Sequence, residues 1–138
     1  MARSNAWALK KLGAKVVFCG PTPLVPDGLS GLATIEHDLE KALKGADAVN
    51  VLRLQLERME QGFVPSLGDY AAAYRLTPER LALAKPDAWV LHPGPMNRGV
   101  EIASEVADGP RSVILEQVAN GVLVRMAVLR LLDSGRTA

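Results

Sequence analysis

The sequence has one cysteine, few aromatic residues and almost no net charge. A single cysteine, Cys19, excludes a disulfide or a cysteine metal cluster within one chain; its apolar neighbours predict a small buried side chain. The 16 basic and 15 acidic residues leave a formal charge of +1, so no field that would attract nucleic acid or an anionic membrane is expected. Any anion must therefore be bound by a few placed groups.

Membrane and cofactor signatures are lacking as well. No apolar stretch approaches the roughly 18 residues needed to cross a bilayer, and no signal peptide is evident, so a cytoplasmic protein is expected. There is no P-loop, HExxH, GxSxG or Cys/His cluster, and no GxGxxG follows a strand. The sequence thus predicts neither a cofactor nor a metal. One of its two histidines, His37, is isolated and is expected at the surface.

Hydrophobic residues, by contrast, make up 49% of the 138 positions, enough for a single domain. Because only 4% are aromatic, the core must be built from Leu, Val, Ala and Ile. Predicted helices cover residues 5–12, 39–44, 78–84 and 120–132, and predicted strands cover 14–19, 34–35, 46–52 and 88–91. This alternation predicts an α/β fold, a Rossmann-like three-layer domain with a mostly parallel sheet and helices on both faces.

The segments between these elements carry their own signals. Ser4 or Asn5 is expected to cap the first helix, and Thr77 to cap the helix that begins at Pro78. Residues 61–74 are predicted to be a mobile connection and residues 104–110 a polar loop. A fold that starts with a helix, with no strand before it, suggests a chain cut from a longer one.

The most informative stretch is residues 91–102, LHPGPMNRGVEI. It follows an apolar strand, and its prolines and glycines form a stiff turn that cannot continue that strand. Ligands bind where parallel strands end, so a site is expected here. His92 is expected to brace the turn, while Gly94 and Pro95 offer backbone groups in a fixed geometry. A plain surface turn would also use these residues.

A second polar group follows the strand over residues 46–52. Residues two apart in an extended chain share one face, so Arg53, Gln55 and Glu57 can point together. The planar guanidinium of Arg53 matches a carboxylate with two hydrogen bonds, and Glu57 can hold it in orientation. An ordinary ion pair at a strand end explains the same spacing.

Five segments together resemble the C-terminal, aspartate-binding half of the aspartate carbamoyltransferases. They are residues 2–5 (ARSN), 11–14 (KLGA), 53–58 (RLQLER), 91–102 and 117–122 (QVANGV). The DxxxSMG and HCLP motifs of the related ornithine enzymes are absent, which favours aspartate.

The resemblance implies that residues 1–138 form an L-aspartate-binding domain. It implies that Arg53 binds a carboxylate of aspartate, that Gln55 supports the site and that Glu57 orients Arg53. Gly94 and Pro95 would direct backbone carbonyls toward carbamoyl phosphate and the attacking amine, with His92 behind them. The connection over residues 61–74 would move on domain closure.

The family's N-terminal half, with its STRTR-type phosphate motif and HPTQ segment, is absent from this sequence. A family arginine that binds aspartate, two positions before Ala2, is also missing. The chain alone is therefore expected to have no transferase activity. Its expected partners are L-aspartate, carbamoyl phosphate and the missing N-terminal domain, in a homotrimer that in some members joins dihydroorotase-like or regulatory subunits. The alternatives are a stand-alone module that binds an amino acid or dicarboxylate, and an interaction domain completed by a separate polypeptide.

Overall fold

The computed structural model describes residues 1–55 and 66–135. The helices are α1 (Ala2–Lys11), α2 (Leu39–Leu43), α3 (Leu67–Tyr74), α4 (Pro78–Leu81), α5 (Ser104–Ala107) and α6 (Ile114–Ser134). The strands are β1 (Val17–Cys19), β2 (Thr34–Glu36), β3 (Ala48–Asn50) and β4 (Trp89–Leu91).

All the strand pairs are parallel within the described ranges. Strand β1 pairs with β2, and β3 pairs with β4 in the register Val49–Val90. The chain after α5 extends the second pair, since Val113 N–H donates to Val90 O at 3.0 Å. Helix α2 packs on β1 and β2, and α6 contacts β4. The predicted α/β, Rossmann-like architecture with parallel strands is therefore confirmed.

The main core surrounds β4. Val90 is fully buried and joins residues from α2, α4, α5 and the start of α6. Its buried members are Leu43, Leu76, Leu81, Ala84, Ala88, Val90, Ile102, Val106, Ala107 and Ile114. As expected from the composition, this core is aliphatic. The turn after β4 therefore begins and ends on the best packed part of the domain.

Short polar side chains begin three of the helices. Asp38 Oδ1 accepts from the N–H groups of Glu40 and Lys41, at 3.0 and 3.2 Å, and so caps α2. Ser66 Oγ caps α3, and Thr77 caps α4 with Pro78 at the first helical position, as predicted. The predicted cap of α1 is wrong: its N-cap is Met1, and Ser4 Oγ donates to Met1 O instead.

Two predicted loops are partly helical. Residues 104–110 were predicted to be a polar loop, but Val106 and Ala107 are buried, and this packing stabilises the short helix α5. In the predicted mobile connection, Ser66 starts helix α3, whereas residues 61–65 lie outside the described residues. The last helix starts at residue 114 rather than 120, because buried Ile114 anchors its first turn to the core.

Both isolated reactive side chains lie near the end of β1. Cys19 is half-buried rather than fully buried, and burial raises the pKa of its thiol to about 11. His37 is exposed, as expected, with its Nδ1 at 2.7 Å from Gly20 O.

Helix α6 differs from every other element in its exposure. Eight of its large apolar side chains are each more than half exposed: Leu115, Val122, Leu123, Val124, Met126, Leu129, Leu131 and Leu132. None of the helices in the described ranges is long and apolar enough to cross a membrane.

Candidate functional site

The turn after β4 has a backbone that only glycine adopts readily. Gly94 has a φ of +62°, in the left-handed region, and the peptide bond to Pro95 is cis. His92 is fully buried at the start of this turn, and Pro95 is exposed. The chain thus runs from the core at His92 to the surface at Pro95, and the backbone groups of Gly94 and Pro95 lie at the outer end of the turn.

His92 is bonded on three sides. Its backbone N–H donates to Gln117 Oε1 of α6 at 2.9 Å, and its Nδ1 accepts from the Gly94 N–H at 2.9 Å. A ring nitrogen that accepts a hydrogen bond carries no proton, so neutral His92 has its proton on Nε2. Nε2 lies 3.3 Å from Glu101 Oε1. The structure therefore contains the bracing hydrogen bond that the sequence suggested for His92.

Glu101 is a buried carboxylate, only 1% exposed. Its Oε1 accepts from both His92 Nε2 and the Asn97 N–H, whereas its Oε2 has no hydrogen-bond partner among the described residues. Burial alone would raise the pKa of Glu101, but the hydrogen bonds from His92 and Asn97 outweigh burial and lower it. Glu101 is therefore ionised at neutral pH and holds two donors with one oxygen.

Asn97 connects this turn to the other predicted half of the site. Its side-chain Nδ2 donates to Leu54 O at 3.0 Å. The two chain segments also pair closer to the core, where the Val51 N–H donates to Leu91 O at 2.9 Å. The segments that follow β3 and β4 are thus bonded to each other beyond the ends of the strands.

The predicted aspartate ligands flank Leu54, which is buried. Arg53 is half-buried and Gln55 is exposed. The predicted partner of Arg53, Glu57, lies outside the described residues. The structure therefore joins the backbone that carries Arg53 and Gln55 to the turn that carries His92, Gly94 and Pro95. Their roles toward a substrate stay predictions.

Helix α3 brings a phenol close to the buried carboxylate. Burial raises the pKa of Tyr70 to about 12, and the negative charge of Glu101 adds to the shift. The ring of Tyr70 lies 5.4 Å from that of Tyr74, whose hydroxyl donates to His37 O at 2.9 Å. Tyr70 is therefore protonated at neutral pH and can donate a hydrogen bond beside the turn.

Sequence reasoning gave no role to four residues around this turn: Tyr70, Asn97, Glu101 and Gln117. Asn97 and Glu101 stood out only as polar residues near His92. A usable signal for Glu101 was its position between Val100 and Ile102, which places a carboxylate in an apolar stretch. Gln117 lies three residues before the predicted start of the final helix and is instead in the first turn of α6.

A separate cavity of about 520 Å³ opens beside the turn. It is lined by Met96, Arg98, Asp108 and the first residues of α6. The guanidinium of Arg98 is paired with both carboxylate oxygens of Asp108, at 2.7 and 2.8 Å. This cavity includes neither His92 nor the segment with Arg53, so it is not where the polar groups of the candidate site meet.

Comparison with known proteins gives one consistent result. A family model described as aspartate/ornithine carbamoyltransferase, Asp/Orn binding domain, matches residues 1–132. The aspartate carbamoyltransferase catalytic subunit of Gemmatimonas aurantiaca is 57% identical over 137 residues, which cover 99% of this chain and 43% of that protein. Its counterpart in Moorella thermoacetica is 57% identical over 136 residues, with coverages of 98% and 44%. The chain thus spans less than half the length of the curated relatives it matches.

Solved structures agree on the fold. The ornithine carbamoyltransferase of Pyrococcus furiosus matches with a TM-score of 0.80 and 29% identity, covering 94% of this chain and 45% of that chain. The enzyme of the same name from Gloeobacter violaceus matches with a TM-score of 0.73 and 28% identity, with coverages of 94% and 46%. The resemblance found in the sequence is confirmed: the chain belongs to the aspartate/ornithine carbamoyltransferase family and corresponds to its Asp/Orn-binding domain.

Proposed function

We propose that this chain is the L-aspartate-binding half of an aspartate carbamoyltransferase, an enzyme of pyrimidine biosynthesis. The complete enzyme would transfer the carbamoyl group of carbamoyl phosphate to L-aspartate, giving N-carbamoyl-L-aspartate and phosphate. The observation that carries the proposal is the bond between Asn97 and Leu54, because it joins the segment of Arg53 and Gln55 to the His92–Pro95 turn. The names of the relatives favour aspartate over ornithine, since those at 57% identity are aspartate enzymes.

In the proposed reaction, the chain binds and orients the nucleophile. Arg53 pairs with a carboxylate of L-aspartate, supported by Gln55, and Glu57 keeps the guanidinium in place. The backbone carbonyls of Gly94 and Pro95 accept hydrogen bonds from the amine and the carbamoyl group and so hold the reacting atoms in line. The amine nitrogen then forms the C–N bond to the carbamoyl carbon, the C–O bond to phosphate breaks with its electron pair on the phosphate oxygen, and the proton that the amine loses is taken up by the phosphate.

Negative charge develops on the phosphate as the C–O bond breaks, and cationic groups must stabilise it as it leaves. The family motif that would bind it, of the STRTR type, does not occur in this sequence. The chain on its own would therefore be inactive, with the phosphate-binding groups supplied by an N-terminal half. We further propose that the complete chains form a homotrimer, joined in some family members by dihydroorotase-like or regulatory subunits. The proposed location of the enzyme is the cytoplasm.

The exposed surface of α6 supports the need for a second half. Apolar side chains at consecutive positions, such as Val122, Leu123 and Val124, cover more than one side of the helix and are exposed. Helices that are apolar on all sides are normally buried, and apolar patches of this size usually mark interfaces. The N-terminal half of the complete enzyme is the proposed partner of this surface.

Titration of the chain with L-aspartate, monitored by amide NMR spectra, tests the proposed ligand. Arg53→Ala should weaken binding about 10- to 100-fold, because charge-assisted hydrogen bonds contribute about 1.5–3 kcal/mol. Arg130→Ala, which removes an exposed arginine of α6, is the matched control and should leave the affinity unchanged. Equal affinity of the wild-type and Arg53→Ala chains would contradict the assignment.

A complementation assay tests the proposed reaction. The chain is mixed with the N-terminal half of a curated relative, and formation of N-carbamoyl-L-aspartate is measured. Turnover is expected only in the mixture, and Leu123→Asp should abolish it while Arg125→Ala, at another position of α6, should not. Turnover by the chain alone would refute the proposed division of the site. Aspartate binding without turnover in any mixture would favour a stand-alone binding module.

A further inference from the structure

We infer that Asn97 and Glu101 are positioning residues that fix the two halves of the aspartate site relative to each other. The identity of the ligand in this inference rests on the proposed function. The hydrogen bonds themselves are present in the chain without a ligand. Asn97 and Glu101 are the point at which the hydrogen bonds from both segments meet.

The first branch runs from Glu101 to the backbone of Gly94. Glu101 Oε1 accepts from His92 Nε2 and so fixes both the proton position and the orientation of the imidazole ring. The opposite ring nitrogen, Nδ1, then accepts from the Gly94 N–H at 2.9 Å. Through these two bonds, Glu101 determines the direction of the peptide group that enters the glycine at φ +62°.

The second branch runs from Glu101 to the backbone between Arg53 and Gln55. The Asn97 N–H donates to the same oxygen, Glu101 Oε1, and this bond orients the Asn97 residue. The side chain of Asn97 then donates from Nδ2 to Leu54 O at 3.0 Å. Since Leu54 is buried, this bond sets the direction of the chain on either side of it.

Burial makes the choice of a carboxylate costly. Taking a charged group out of water is unfavourable unless hydrogen bonds compensate, and Glu101 Oε2 has none among the described residues. A turn that only needed packing would be served by an apolar side chain at this position. The presence of a carboxylate at position 101 is better explained by its two hydrogen bonds, because one oxygen accepts from both His92 and Asn97 and so links the two branches.

Four variants of the chain separate positioning from a general loss of folding. Asn97→Ala removes only the bond to Leu54, since the backbone N–H to Glu101 remains. Glu101→Leu removes both branches, whereas Glu101→Gln keeps an acceptor oxygen and nearly the same volume. The control is Arg98→Ala, which neighbours Asn97 in sequence but pairs with exposed Asp108 outside this network.

The first readout needs no ligand. Amide NMR spectra and hydrogen exchange of Asn97→Ala should change at residues 53–55 and remain like the wild type at Gly94. In Glu101→Leu both regions should change, with exchange of the Gly94 N–H at least tenfold faster. Unchanged signals at residues 53–55 in folded Asn97→Ala would overturn the inference, whether or not the chain binds aspartate.

The second readout is affinity for L-aspartate. Asn97→Ala and Glu101→Leu should each weaken binding about tenfold. Glu101→Gln, which keeps an acceptor oxygen, should bind L-aspartate within about threefold of the wild-type affinity. The double variant should bind no more weakly than Glu101→Leu alone, because both residues act through one network. Additive losses of affinity in the double variant would contradict the idea that both residues act through one network. So would a tenfold loss of affinity in a folded Glu101→Gln chain. If the wild-type chain binds no aspartate while the ligand-free changes occur, the proposed function fails and the positioning geometry stands.

Discussion

The turn after β4 and helix α6 place their side chains in opposite environments. In the turn, the charged or polar side chains of Glu101 and His92 are 1% and 0% exposed, whereas Leu123 of α6 is 64% exposed. Polar groups are buried where their hydrogen-bond partners lie in the same chain. Apolar groups left exposed in such numbers point to partners outside it. Most buried polar groups of the turn thus find their partners within this chain, with Glu101 Oε2 as the exception among the described residues, whereas the exposed apolar side chains of α6 do not.

The largest expected effect comes from truncating one apolar side chain in each region. Ile102 is fully buried at the end of the turn, so Ile102→Ala should lower the free energy of unfolding by about 3 kcal/mol. Leu123→Ala removes a comparable side chain from α6 and should change it by about 0.5 kcal/mol or less. Urea denaturation of the chain measures both. A loss of similar size for the two variants would show that α6 is packed within the chain and would break the comparison.

Two glycine substitutions should act with opposite sign. Gly94→Ala places a Cβ on a backbone with φ +62°, which should destabilise the chain by about 1–2 kcal/mol even though the space is open. Gly121→Ala lies within α6, where a Cβ meets no atom, and should stabilise the chain by about 0.5–1 kcal/mol. Thermal unfolding measures both changes. Stabilisation by Gly94→Ala would mean that the turn is not held in the left-handed conformation.

The smallest expected effect is a dependence on pH that belongs to the turn. The hydrogen bonds from His92 and Asn97 outweigh burial and hold the pKa of Glu101 below its ordinary value of 4.5. A lowered folded-state pKa contributes stability above the unfolded value of 4.5, and this contribution is lost as pH falls through the lower folded value. Wild-type stability should therefore fall more steeply below pH 4.5 than that of Glu101→Gln.

Other carboxylates do not obscure this pH test. The pKa values of Asp38 and Asp108 are also lowered, by backbone hydrogen bonds at the start of α2 and by a bond from Arg98, but both groups are present in the wild type and the variant. The difference between the two denaturation profiles isolates Glu101. Parallel profiles from pH 7 to pH 3 would show that Glu101 titrates alike in the folded and unfolded chains.

The sequence was sufficient for features that depend on local pattern. Thr77 and Pro78 predict the start of α4 because capping is a property of neighbouring residues. The turn after β4 is predicted because its glycines and prolines exclude a continued strand, and its role as a substrate site stays a prediction. Residues 104–107 were missed because a four-residue helix is stabilised by burial of Val106 and Ala107, which no short pattern reveals.

The bonds that join the two halves of the site left no pattern to find. Asn97 donates to a backbone carbonyl 43 residues away, and any residue at position 54 would supply that acceptor. The first turn of α6 was missed because its exposed Leu115 and buried Ile114 do not separate into a polar and an apolar face. For Glu101, the apolar neighbours Val100 and Ile102 indicate burial, but its bonds to His92 and Asn97 depend on the three-dimensional packing of the turn.

Gln117 connects the long helix α6 directly to the turn after β4. Its amide oxygen holds the backbone of His92, and it lies one turn into the same helix that carries the uncovered leucines. If a partner bound to α6 and tilted the helix, the amide oxygen of Gln117 would move. The backbone of His92, where the turn begins, would move with it. Binding of the proposed partner to α6 and the geometry of the turn after β4 would therefore be linked through one amide group.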